Sequence, residues 1–270
     1  MNRTYVVTGA ASGIGAATTG YLRARGRCVI TSDLHDADII ADLATPAGRA
    51  TLHEGVTRLC GGHLDAIVAN AGGGPPQTSL QLNFFGAVAT LEGLRPLLVN
   101  SAAPRAVAVS SVASLSPIDP GLVEACLSMD EDAAVAAGRA FAANIAPLDA
   151  MTAAQATQVG LALYGNAKHA LNRWCRRAAV TAQWAGAGIT LNVAAPGFID
   201  TPSAAYILAD PERRAAMQRM VPLQGAFPGP AEQMAAVLAW CVSEDNALMT
   251  GQIIFVDGGL ECLSRGETGW

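Results

Sequence analysis

Short runs of apolar, often β-branched residues alternate along this chain with longer alanine-rich segments whose apolar residues recur with a helical period. The short runs predict seven strands, at Tyr5–Thr8, Cys28–Ser32, Ile39–Ala41, Ala66–Ala69, Ala106–Ser110, Thr190–Ala194 and Ile253–Val256. Helices are predicted between most of them, for example at Ile14–Arg25, Leu80–Leu98, Tyr164–Trp184 and Ala231–Val242. Such alternation is typical of a parallel sheet with helices on both faces. The pattern therefore predicts an α/β fold, a single doubly wound Rossmann-type domain over residues 1–270 with a parallel seven-stranded sheet.

One long region interrupts this alternation. No strand is predicted from Val112 to Leu163, and the alanine-rich part Leu122–Ala146 is predicted to be helical. No repeat and no low-complexity linker marks a second domain. We therefore interpret residues 115–160 as a helical insertion into one domain, placed before Tyr164.

Composition narrows the classes of function. Hydrophobic residues make up 51% of the chain and charged residues 14%, which indicates a large core and favours a homo-oligomer, either a dimer or a tetramer. No apolar run approaches the ~18 residues of a membrane helix, and the first residues lack the pattern of a signal peptide. The net charge is −5 and the arginines show no strong clustering. Neither a nucleic acid nor a membrane is therefore expected as a partner.

The cysteines and histidines show neither a disulfide pattern nor a metal-ligand pattern. The six cysteines are scattered without a Cys-x-x-Cys pair, and the four histidines lack ligand spacing. We therefore expect no metal site and no disulfide framework, which favours a reducing, cytoplasmic location. His169 lies close to a candidate motif and is interpreted as an ordinary helix residue.

A glycine-rich segment follows the first predicted strand and leads into a helix. Gly9, Gly13 and Gly15 have the spacing Gly-x-x-x-Gly-x-Gly within Thr8–Gly15. Glycines at such a turn let a dinucleotide pyrophosphate approach the backbone, and the helix N-terminus offers it free N–H groups. A tight β–α turn without a ligand is the alternative interpretation. The strand before the loop and the helix after it favour cofactor binding.

Asp33 closes the second strand, at the place where an adenosine ribose would lie. A carboxylate there accepts hydrogen bonds from both ribose hydroxyls and repels a 2′-phosphate. No Arg or Lys follows directly, because the next residues are Leu34 and His35. This favours NAD over NADP. An aspartate that begins a turn is the alternative, and Asp36 could do that equally well.

Tyr164 and Lys168 are four residues apart, and therefore lie on the same face of one predicted helix. The ordinary pKa of a tyrosine is near 10, too high for proton exchange at neutral pH. A nearby cation favours the phenolate and shifts this pKa towards the useful range. The pair therefore indicates an acid/base site, although the spacing alone occurs often by chance.

From end to end, the chain resembles the short-chain dehydrogenase/reductase family. The stretches that carry the resemblance are the Thr8–Gly15 loop, Asp42-Leu43, Ala69-Asn70-Ala71-Gly72, Asn83 in Leu82–Gly86, Ser111 in Val109–Ser111, Tyr164 with Lys168, Pro196-Gly197 through Thr201, and Asp257-Gly258-Gly259. The resemblance implies that the cofactor is bound by Gly9, Ser12, Gly13, Ile14, Gly15, Asp33, Asp42, Leu43, Asn70, Ala71, Gly72, Tyr164, Lys168, Pro196, Gly197, Ile199 and Thr201.

The resemblance also implies four catalytic roles. Tyr164 would exchange the hydroxyl proton, and Lys168 would bind the nicotinamide ribose and lower the pKa of Tyr164. Ser111 would hold the substrate oxygen, with Ser110 as the competing choice. Asn83 would hold a water of the proton relay. The expected activity is NAD(H)-dependent interconversion of a secondary alcohol and a ketone.

The spacing between serine and tyrosine departs from the usual family pattern. Here 52 residues separate Ser111 from Tyr164, whereas the family usually has about a dozen. An insertion at this place resembles the family's bacterial 3α-hydroxysteroid dehydrogenase/carbonyl reductase branch, which implies a hydrophobic, cyclic, 3α-hydroxysteroid-like alcohol or ketone as substrate. The insertion could serve a subunit interface or cover the active site, and the sequence leaves both open.

The segment Pro202–Pro228 occupies the position of the family's substrate lid. Its apolar residues are Tyr206, Ile207, Leu208, Met217, Met220, Val221 and Phe227. Methionines and branched aliphatic side chains suit a hydrophobic ligand. An ordinary amphipathic helix on the core would account for about half of these residues equally well.

Three further functions stay open beside the leading one. The substrate could be a terpene or aryl secondary alcohol. The chain could instead be an NADPH-linked reductase of ketoacyl groups, which Asp33 and the insertion argue against. A non-catalytic relative that senses NAD or acts as a scaffold would lack Tyr164 or Lys168, and both are present.

Overall fold

The sheet has seven strands, all parallel, in the order β3-β2-β1-β4-β5-β6-β7. The structure is a computed structural model that describes residues 3–147 and 150–267, without the side chains of Tyr206 and Ile207. The strands are β1 (Thr4–Thr8), β2 (Cys28–Asp33), β3 (Ile39–Ile40), β4 (Ala66–Ala69), β5 (Arg105–Val109), β6 (Thr190–Pro196) and β7 (Ile253–Val256). The expected single Rossmann-type α/β domain is confirmed.

The strand order reverses between β1 and β4. Val6 of β1 is aligned with Ile30 of β2 on one side and with Ile67 of β4 on the other. From this point, successive strands are added outward on both sides of the sheet. The connections after β1 and β4 therefore run in opposite directions and leave a crevice at the carboxyl ends of the strands. Ligands of doubly wound sheets bind in that crevice.

The helices are α1 (Gly13–Arg23), α2 (Pro46–Cys60), α3 (Ala87–Leu94), α4 (Pro120–Leu127), α5 (Glu131–Ile145), α6 (Ala153–Ala178), α7 (Ala205–Leu208), α8 (Pro211–Gln218), α9 (Ala231–Cys241) and α10 (Leu260–Arg265). Buried side chains of α1 and α9 pack on one face of the sheet, and those of α2, α3 and α6 on the other. Each fully buried leucine contributes roughly 1.5–3 kcal/mol to such a core. Among the described residues, no helix has the length and hydropathy needed to cross a bilayer.

The insertion consists of α4, α5 and the first turns of α6. Leu122, Val123 and Cys126 of α4 are buried in the same core as α6. The stretch Leu122–Ala146 is helical as predicted, and it is divided into two helices, because the chain breaks at Met129, whose φ is 64°. The Asp130 side chain then caps α5 by accepting a hydrogen bond from the Ala133 N–H.

Other predicted boundaries also differ from the structure. α6 begins at Ala153, where Thr152 and Gln155 form a capping box, and not at Tyr164. The predicted helix Leu80–Leu98 is divided into a π-helical turn (Gln81–Gly86), α3 and a 3₁₀ turn that contains Pro96. Helix α2 was not predicted, although Thr45-Pro46 and Gly61 mark its two ends.

Candidate active site

A large cavity opens at the carboxyl ends of the strands, with a volume of about 1110 Å³. Asp33 and Pro196 are the last residues of β2 and β6, and Asn70 directly follows β4. The predicted site residues that line the cavity are Gly9, Ser12, Gly13, Ile14, Asp33, Asp42, Leu43, Asn70, Ala71, Gly72, Ser111, Tyr164, Lys168, Pro196, Gly197, Ile199 and Thr201. Gly15 and Asn83 lie behind its wall. The fold therefore brings residues from nearly the whole chain to one crevice.

The glycine loop between β1 and α1 is shaped by close backbone contacts. Gly9 has a φ of 66° and Gly13 a φ of 50°, which L side chains rarely adopt. A Cβ on Gly15 would overlap the carbonyl oxygen of Gly9. The N-cap residue Ser12 makes no side-chain cap bond, so N–H groups at the start of α1 face the cavity without a side-chain acceptor. The loop forms a concave, partly positive cradle.

Asn70 fixes the other side of this cradle. Its Nδ2 donates to the carbonyl oxygens of Thr8 at 3.0 Å and Gly9 at 3.2 Å. The Thr8 hydroxyl in turn accepts hydrogen bonds from the backbone N–H groups of Asn70 and Ala71, both at 3.1 Å. These four bonds tie the end of β1 to the end of β4 at the point where the strand order reverses.

Asp33 holds the glycine loop from the side of β2. Its Oδ2 accepts a hydrogen bond of 2.8 Å from the Ala11 N–H, and its Oδ1 one of 2.6 Å from the Leu34 N–H. The half-buried carboxylate nevertheless lines the cavity and presents a negative charge to it. Asp42 and the buried Leu43 lie along the same part of the wall.

Lys168 is a buried cation between helix α6 and strand β5. Only 2% of it is exposed, and its Nζ donates a hydrogen bond of 2.8 Å to the carbonyl oxygen of Val109. Burial lowers the pKa of Lys168 to about 8. Cys175 supplies no counter-charge, because burial raises the pKa of its thiol far above the usual range. The Nζ lies 5.6 Å from the ring centre of Tyr164.

Ser111 and Ser110 differ in where their hydroxyls are directed. Ser111 is half-buried at the cavity, and its Oγ accepts a hydrogen bond of 3.1 Å from the Ala113 N–H. Ser110 also borders the cavity, but it is buried and its Oγ donates to the carbonyl oxygen of Lys168 at 3.4 Å. The geometry favours Ser111 as the serine that meets a substrate.

Three polar residues of α6 bind the segment that carries Ser111. Asn172 Nδ2 donates to Ser114 Oγ at 3.0 Å, and Ser114 Oγ donates to the carbonyl oxygen of Ser111 at 2.7 Å. His169, a helix residue as predicted, places Nδ1 3.1 Å from the carbonyl oxygen of Ser114. Asn166 Oδ1 accepts from the Asp119 N–H at 2.8 Å. Serine and tyrosine therefore belong to one rigid unit.

Asn83 lies in the π-helical turn with its amide fully engaged. Its Oδ1 accepts a hydrogen bond of 2.8 Å from the Gly73 N–H, and its Nδ2 donates to the carbonyl oxygens of Gly73 and Ser79, both at 2.9 Å. The side chain thus shapes the loop after β4 from behind the cavity wall. Its role in a proton relay stays a prediction.

The loop after β6 faces the glycine loop across the cavity. A Cβ on Gly13 would come within 3.0 Å of the Thr201 methyl group, and one on Gly197 within 2.8 Å of the Asp257 Cα. Ile199 forms an isolated parallel bridge with Gly229. The Pro196–Thr201 segment is therefore fixed at both ends.

The wall of the cavity also includes residues that were not predicted from the sequence. They are Gly73, Gly74, Leu82, Ser116, Ala156, Thr157, Gly160, Leu161, Phe198, Leu260 and Ser264. Ala156, Gly160, Tyr164 and Lys168 recur at every fourth position of α6, so they form one stripe. That spacing would have revealed the wall, had α6 been predicted to begin at Ala153.

The predicted lid is only partly involved in the cavity. Met217 and Met220 line it, whereas Phe227 packs edge-to-face on Phe198 at 5.6 Å and Val221 meets Gly258. The side chains of Tyr206 and Ile207 lie outside the described residues. The described part of the chain contains no group of three His, Cys, Asp or Glu side chains that could hold a metal ion.

Known proteins with similar sequences are dehydrogenases and reductases. Residues 121–261 match the family described as enoyl-(acyl carrier protein) reductase. The chain is 34% identical over 264 residues to the 3-alpha-hydroxysteroid dehydrogenase/carbonyl reductase of Comamonas testosteroni, covering 96% of this chain and 97% of that protein. It is 31% identical over 272 residues to the cis-4-hydroxycyclohexanecarboxylate dehydrogenase of Sinomonas cyclohexanicum, covering 95% and 96%.

A solved structure is similar over almost the whole chain. The 3-alpha-hydroxysteroid dehydrogenase from Pseudomonas sp. B-0831, complexed with NADH, superposes with a TM-score of 0.81 at 34% identity, covering 98% of this chain and 99% of that chain. With these relatives, the cradle, the cavity and the Tyr164–Lys168 helix, the chain belongs to the short-chain dehydrogenase/reductase family, as an oxidoreductase that acts on CH–OH groups.

Proposed function

We propose that this protein is an NAD(H)-dependent dehydrogenase/reductase that interconverts a hydrophobic, cyclic secondary alcohol and its ketone, with a 3α-hydroxysteroid as the first candidate. One observation carries the proposal. Tyr164, Ser111 and Lys168 line the same cavity as the glycine cradle and Asp33. An acid/base group, an oxygen-binding hydroxyl and a dinucleotide-sized cradle are thus combined in one space.

The cradle fits a dinucleotide. A Cβ on Gly9, Gly13 or Gly15 would meet neighbouring protein atoms within about 3 Å, so only glycine fits this tightly packed loop. Gly9 and Gly13 line the cavity, where the backbone of such a loop can approach a pyrophosphate. The residues proposed to hold the cofactor are those predicted from the sequence, from Gly9 to Thr201. Gly15 would act indirectly, through the close packing of the loop on α1. Once bound, NAD(H) supplies or accepts the hydride.

Asp33 supports NAD over NADP. Its carboxylate lines the cavity at the carboxyl end of β2, where it would face an adenosine ribose. Both oxygens already accept backbone hydrogen bonds, so the charge is held in place. A 2′-phosphate brought to this carboxylate would be repelled. The NADH in the Pseudomonas structure agrees with this choice.

The residues at the reacting end divide the chemistry between them. Tyr164 would give or take the proton of the substrate hydroxyl, and the Lys168 ammonium would stabilise the phenolate form. The Ser111 hydroxyl would hydrogen-bond the substrate oxygen. Asn83 would act on the relay through the loop that it holds at Gly73.

The substrate side supports a neutral, hydrophobic ligand. Among the described residues of the cavity wall, the charged ones are Asp33, Asp42 and Lys168. None of the three lies on the wall formed by Gly160 and Leu161 of α6, Phe198 and Met217. By their names, the two relatives act on a hydroxysteroid and on a hydroxycyclohexanecarboxylate, so both names agree with a ring-shaped alcohol, although the second compound also carries a carboxylate. Terpene and aryl alcohols fit the same wall.

The other functions have weaker support. A ketoacyl reductase linked to NADPH would face the Asp33 carboxylate. A non-catalytic NAD sensor would have no need of the Tyr164–Lys168 pair.

We also propose a cytoplasmic homo-oligomer. The six cysteines are free, and the apolar Trp240 and Leu248 are exposed, at 46% and 95%. Light scattering would distinguish monomer, dimer and tetramer.

The test is NADH formation over a panel of steroid, terpene and aryl secondary alcohols, with NAD⁺ and NADP⁺ compared. Tyr164→Phe should lower turnover by about a thousandfold while the Kd of NADH stays nearly unchanged. Tyr21→Phe, at a tyrosine on α1 that stacks with Arg25, is the matched control. Full activity of Tyr164→Phe would overturn the proposed mechanism. Faster turnover with NADP⁺ than with NAD⁺ would overturn the proposed cofactor.

A further inference from the structure

Arg49 connects the inserted helices to the backbone beside the part of the cavity wall formed by Asp33, Asp42 and Leu43. The adenosine of the cofactor is proposed to bind there, and this part of the wall is called the adenine site. It lies in the first turn of α2, and its side chain is only 11% exposed. Its guanidinium forms a bidentate ion pair with Glu131, the first residue of α5, with Nη1 2.6 Å from Oε2 and Nη2 2.8 Å from Oε1. The contact joins residues 82 apart in sequence.

The remaining donors of Arg49 bind three backbone carbonyl groups. Nε donates to the oxygen of Leu43 at 2.9 Å, and Nη2 to the oxygens of Ala44 at 3.3 Å and Gln81 at 3.2 Å. One planar group therefore joins α5, the turn after β3 and the π-helical turn that contains Asn83. Leu43 and Ala44 directly follow Asp42 in the chain, so these contacts hold the segment that carries Asp42.

The Leu43 carbonyl is held from a second direction. A Cβ on Gly86 would come within 2.8 Å of the Leu43 oxygen, so the backbone of the π-helical turn packs directly against it. The Leu43 side chain is 4% exposed and, with Asp42, lines the cavity. Arg49 and Gly86 therefore fix the backbone of the wall at Asp42 and Leu43 together, and loss of Arg49 would leave the packing against Gly86 as the remaining support.

Arg49 depends on Glu131 for its position. A cation in the first turn of a helix is disfavoured by the helix dipole, and a buried guanidinium needs a counter-charge. The Glu131 carboxylate provides that charge in the fork geometry that suits arginine best. Without the Glu131 carboxylate, the Arg49 guanidinium is more stable when it is hydrated by solvent. The three carbonyl groups then lose their hydrogen-bond donor.

We propose that Arg49 and Glu131 are positioning residues for the cofactor, and that the insertion sets the shape of the adenine site through them. This inference rests on the proposed NAD(H) function. The insertion would thus have a role at the cofactor site, separate from forming a subunit interface or covering the substrate. The effect should be larger at the adenine half than near Tyr164, because Arg49 bonds directly to Leu43, a residue of the cavity wall, and reaches the turn of Asn83 only through the Gln81 carbonyl group.

The test uses Glu131→Gln and Arg49→Met, with Glu124→Gln as the matched control. Glu124 of the insertion forms ion pairs with Arg173 at 2.7 Å and with Arg177 at 4.0 Å, and neither arginine lines the cavity. Kd values are measured for NADH, AMP and NMN, and kcat and KM for NAD⁺. Glu131→Gln should raise the Kd values of AMP and NADH by about fivefold or more. Arg49→Met should raise both values further. The Kd of NMN should change by less than about twofold. In the kinetics, KM for NAD⁺ should rise by a larger factor than kcat falls.

Each outcome decides one point. Unchanged AMP affinity in a folded Glu131→Gln protein would overturn the inference, and so would equal losses for AMP and NMN or an equal loss in Glu124→Gln. If Arg49→Met does not fold, Glu131→Gln still decides, because glutamine keeps the shape of glutamate. A wild-type protein that binds no NADH would overturn the proposed function itself, which is a different result from NADH binding with unchanged AMP affinity.

Discussion

The ammonium group of Lys168 donates a hydrogen bond of 2.8 Å to the carbonyl oxygen of Val109, at the end of strand β5. This bond joins α6 to the strand that leads into Ser111. The ammonium is nearly inaccessible to solvent, so the folded protein carries a buried cation whose pKa is lowered to about 8. This buried charge, which is proposed to favour the Tyr164 phenolate, therefore costs stability in the absence of a cofactor.

Lys168 should make the stability of the cofactor-free protein depend on pH. Its pKa falls from 10.5 to about 8 on folding. Below about pH 8 both states are protonated and the folded state carries the whole desolvation penalty. Between these pKa values the unfolded chain binds more protons, so stability rises with pH. From pH 7 to pH 9, the free energy of unfolding should rise by about 1 kcal/mol relative to Lys168→Met.

Urea unfolding at the two pH values measures this difference. Buried thiols act in the opposite direction from about pH 8 upwards, because burial raises the pKa of Cys126 to about 12 and that of Cys241 to about 11 from an ordinary 9.0. The comparison with Lys168→Met removes this contribution, because both proteins contain the same cysteines. Identical pH slopes in the wild type and in Lys168→Met would contradict the prediction.

Replacing Asp33 should change the choice of cofactor. In Asp33→Asn, the negative charge that repels a 2′-phosphate is lost, so the NAD⁺/NADP⁺ ratio of kcat/KM should fall by about tenfold or more. Asp36→Asn is the matched control, because Asp36 is an exposed carboxylate three positions later that is paired with His35. A ratio that stays constant in Asp33→Asn would remove this carboxylate from cofactor selection.

Ser114 should act on turnover through Ser111. Ser114→Ala removes the hydroxyl that donates to the Ser111 carbonyl oxygen and leaves Asn172 Nδ2 without its acceptor. Loss of one neutral hydrogen bond should lower kcat by about three- to tenfold, with KM for NAD⁺ little changed. Ser128→Ala, which removes a bond to the Ala125 carbonyl in the exposed part of the insertion, should have no such effect. Equal kinetics for the two variants would show that Ser111 needs no such support.

Gly160 should limit the size of the substrate. A Cβ there would lie 3.1 Å from Pro76 Cγ, and a larger side chain would enter the cavity. Gly160→Leu should lower kcat/KM for a polycyclic alcohol by about tenfold or more relative to a monocyclic one. Gly20→Leu on α1, where a Cβ would meet nothing within 4 Å, controls for the change from glycine in a helix. Equal effects on both alcohols would place the bulky substrate elsewhere.

Local sequence patterns were sufficient for the strands and for the order of the motifs. Strand periodicity and β-branched residues depend on neighbours along the chain, so all seven strands were predicted to within two residues at each end. The Thr8–Gly15 loop and the Tyr164–Lys168 pair carry their chemistry within a few residues. The fold and the reaction class therefore follow from the sequence and the resemblance.

Helix boundaries were less accurate, because the helical period competes with local breaks. A residue at positive φ, Met129, divides the insertion, and the capping box at Thr152 starts α6 well before Tyr164. The π-helical turn at Gln81–Gly86 has no local signal of its own. These details decide which residues reach the cavity, and Gly160 and Leu161 were missed for that reason.

By itself, the sequence determined the α/β alternation, the cofactor loop and the acid/base pair, because each depends on residues close together in the chain. Tertiary structure alone decided that Asn83 lies behind the cavity wall and that Ser114 and Asn172 support Ser111. It also decided that Arg49 meets Glu131, across 82 positions. Such contacts depend on how distant segments pack, and no periodicity or spacing in one sequence encodes them.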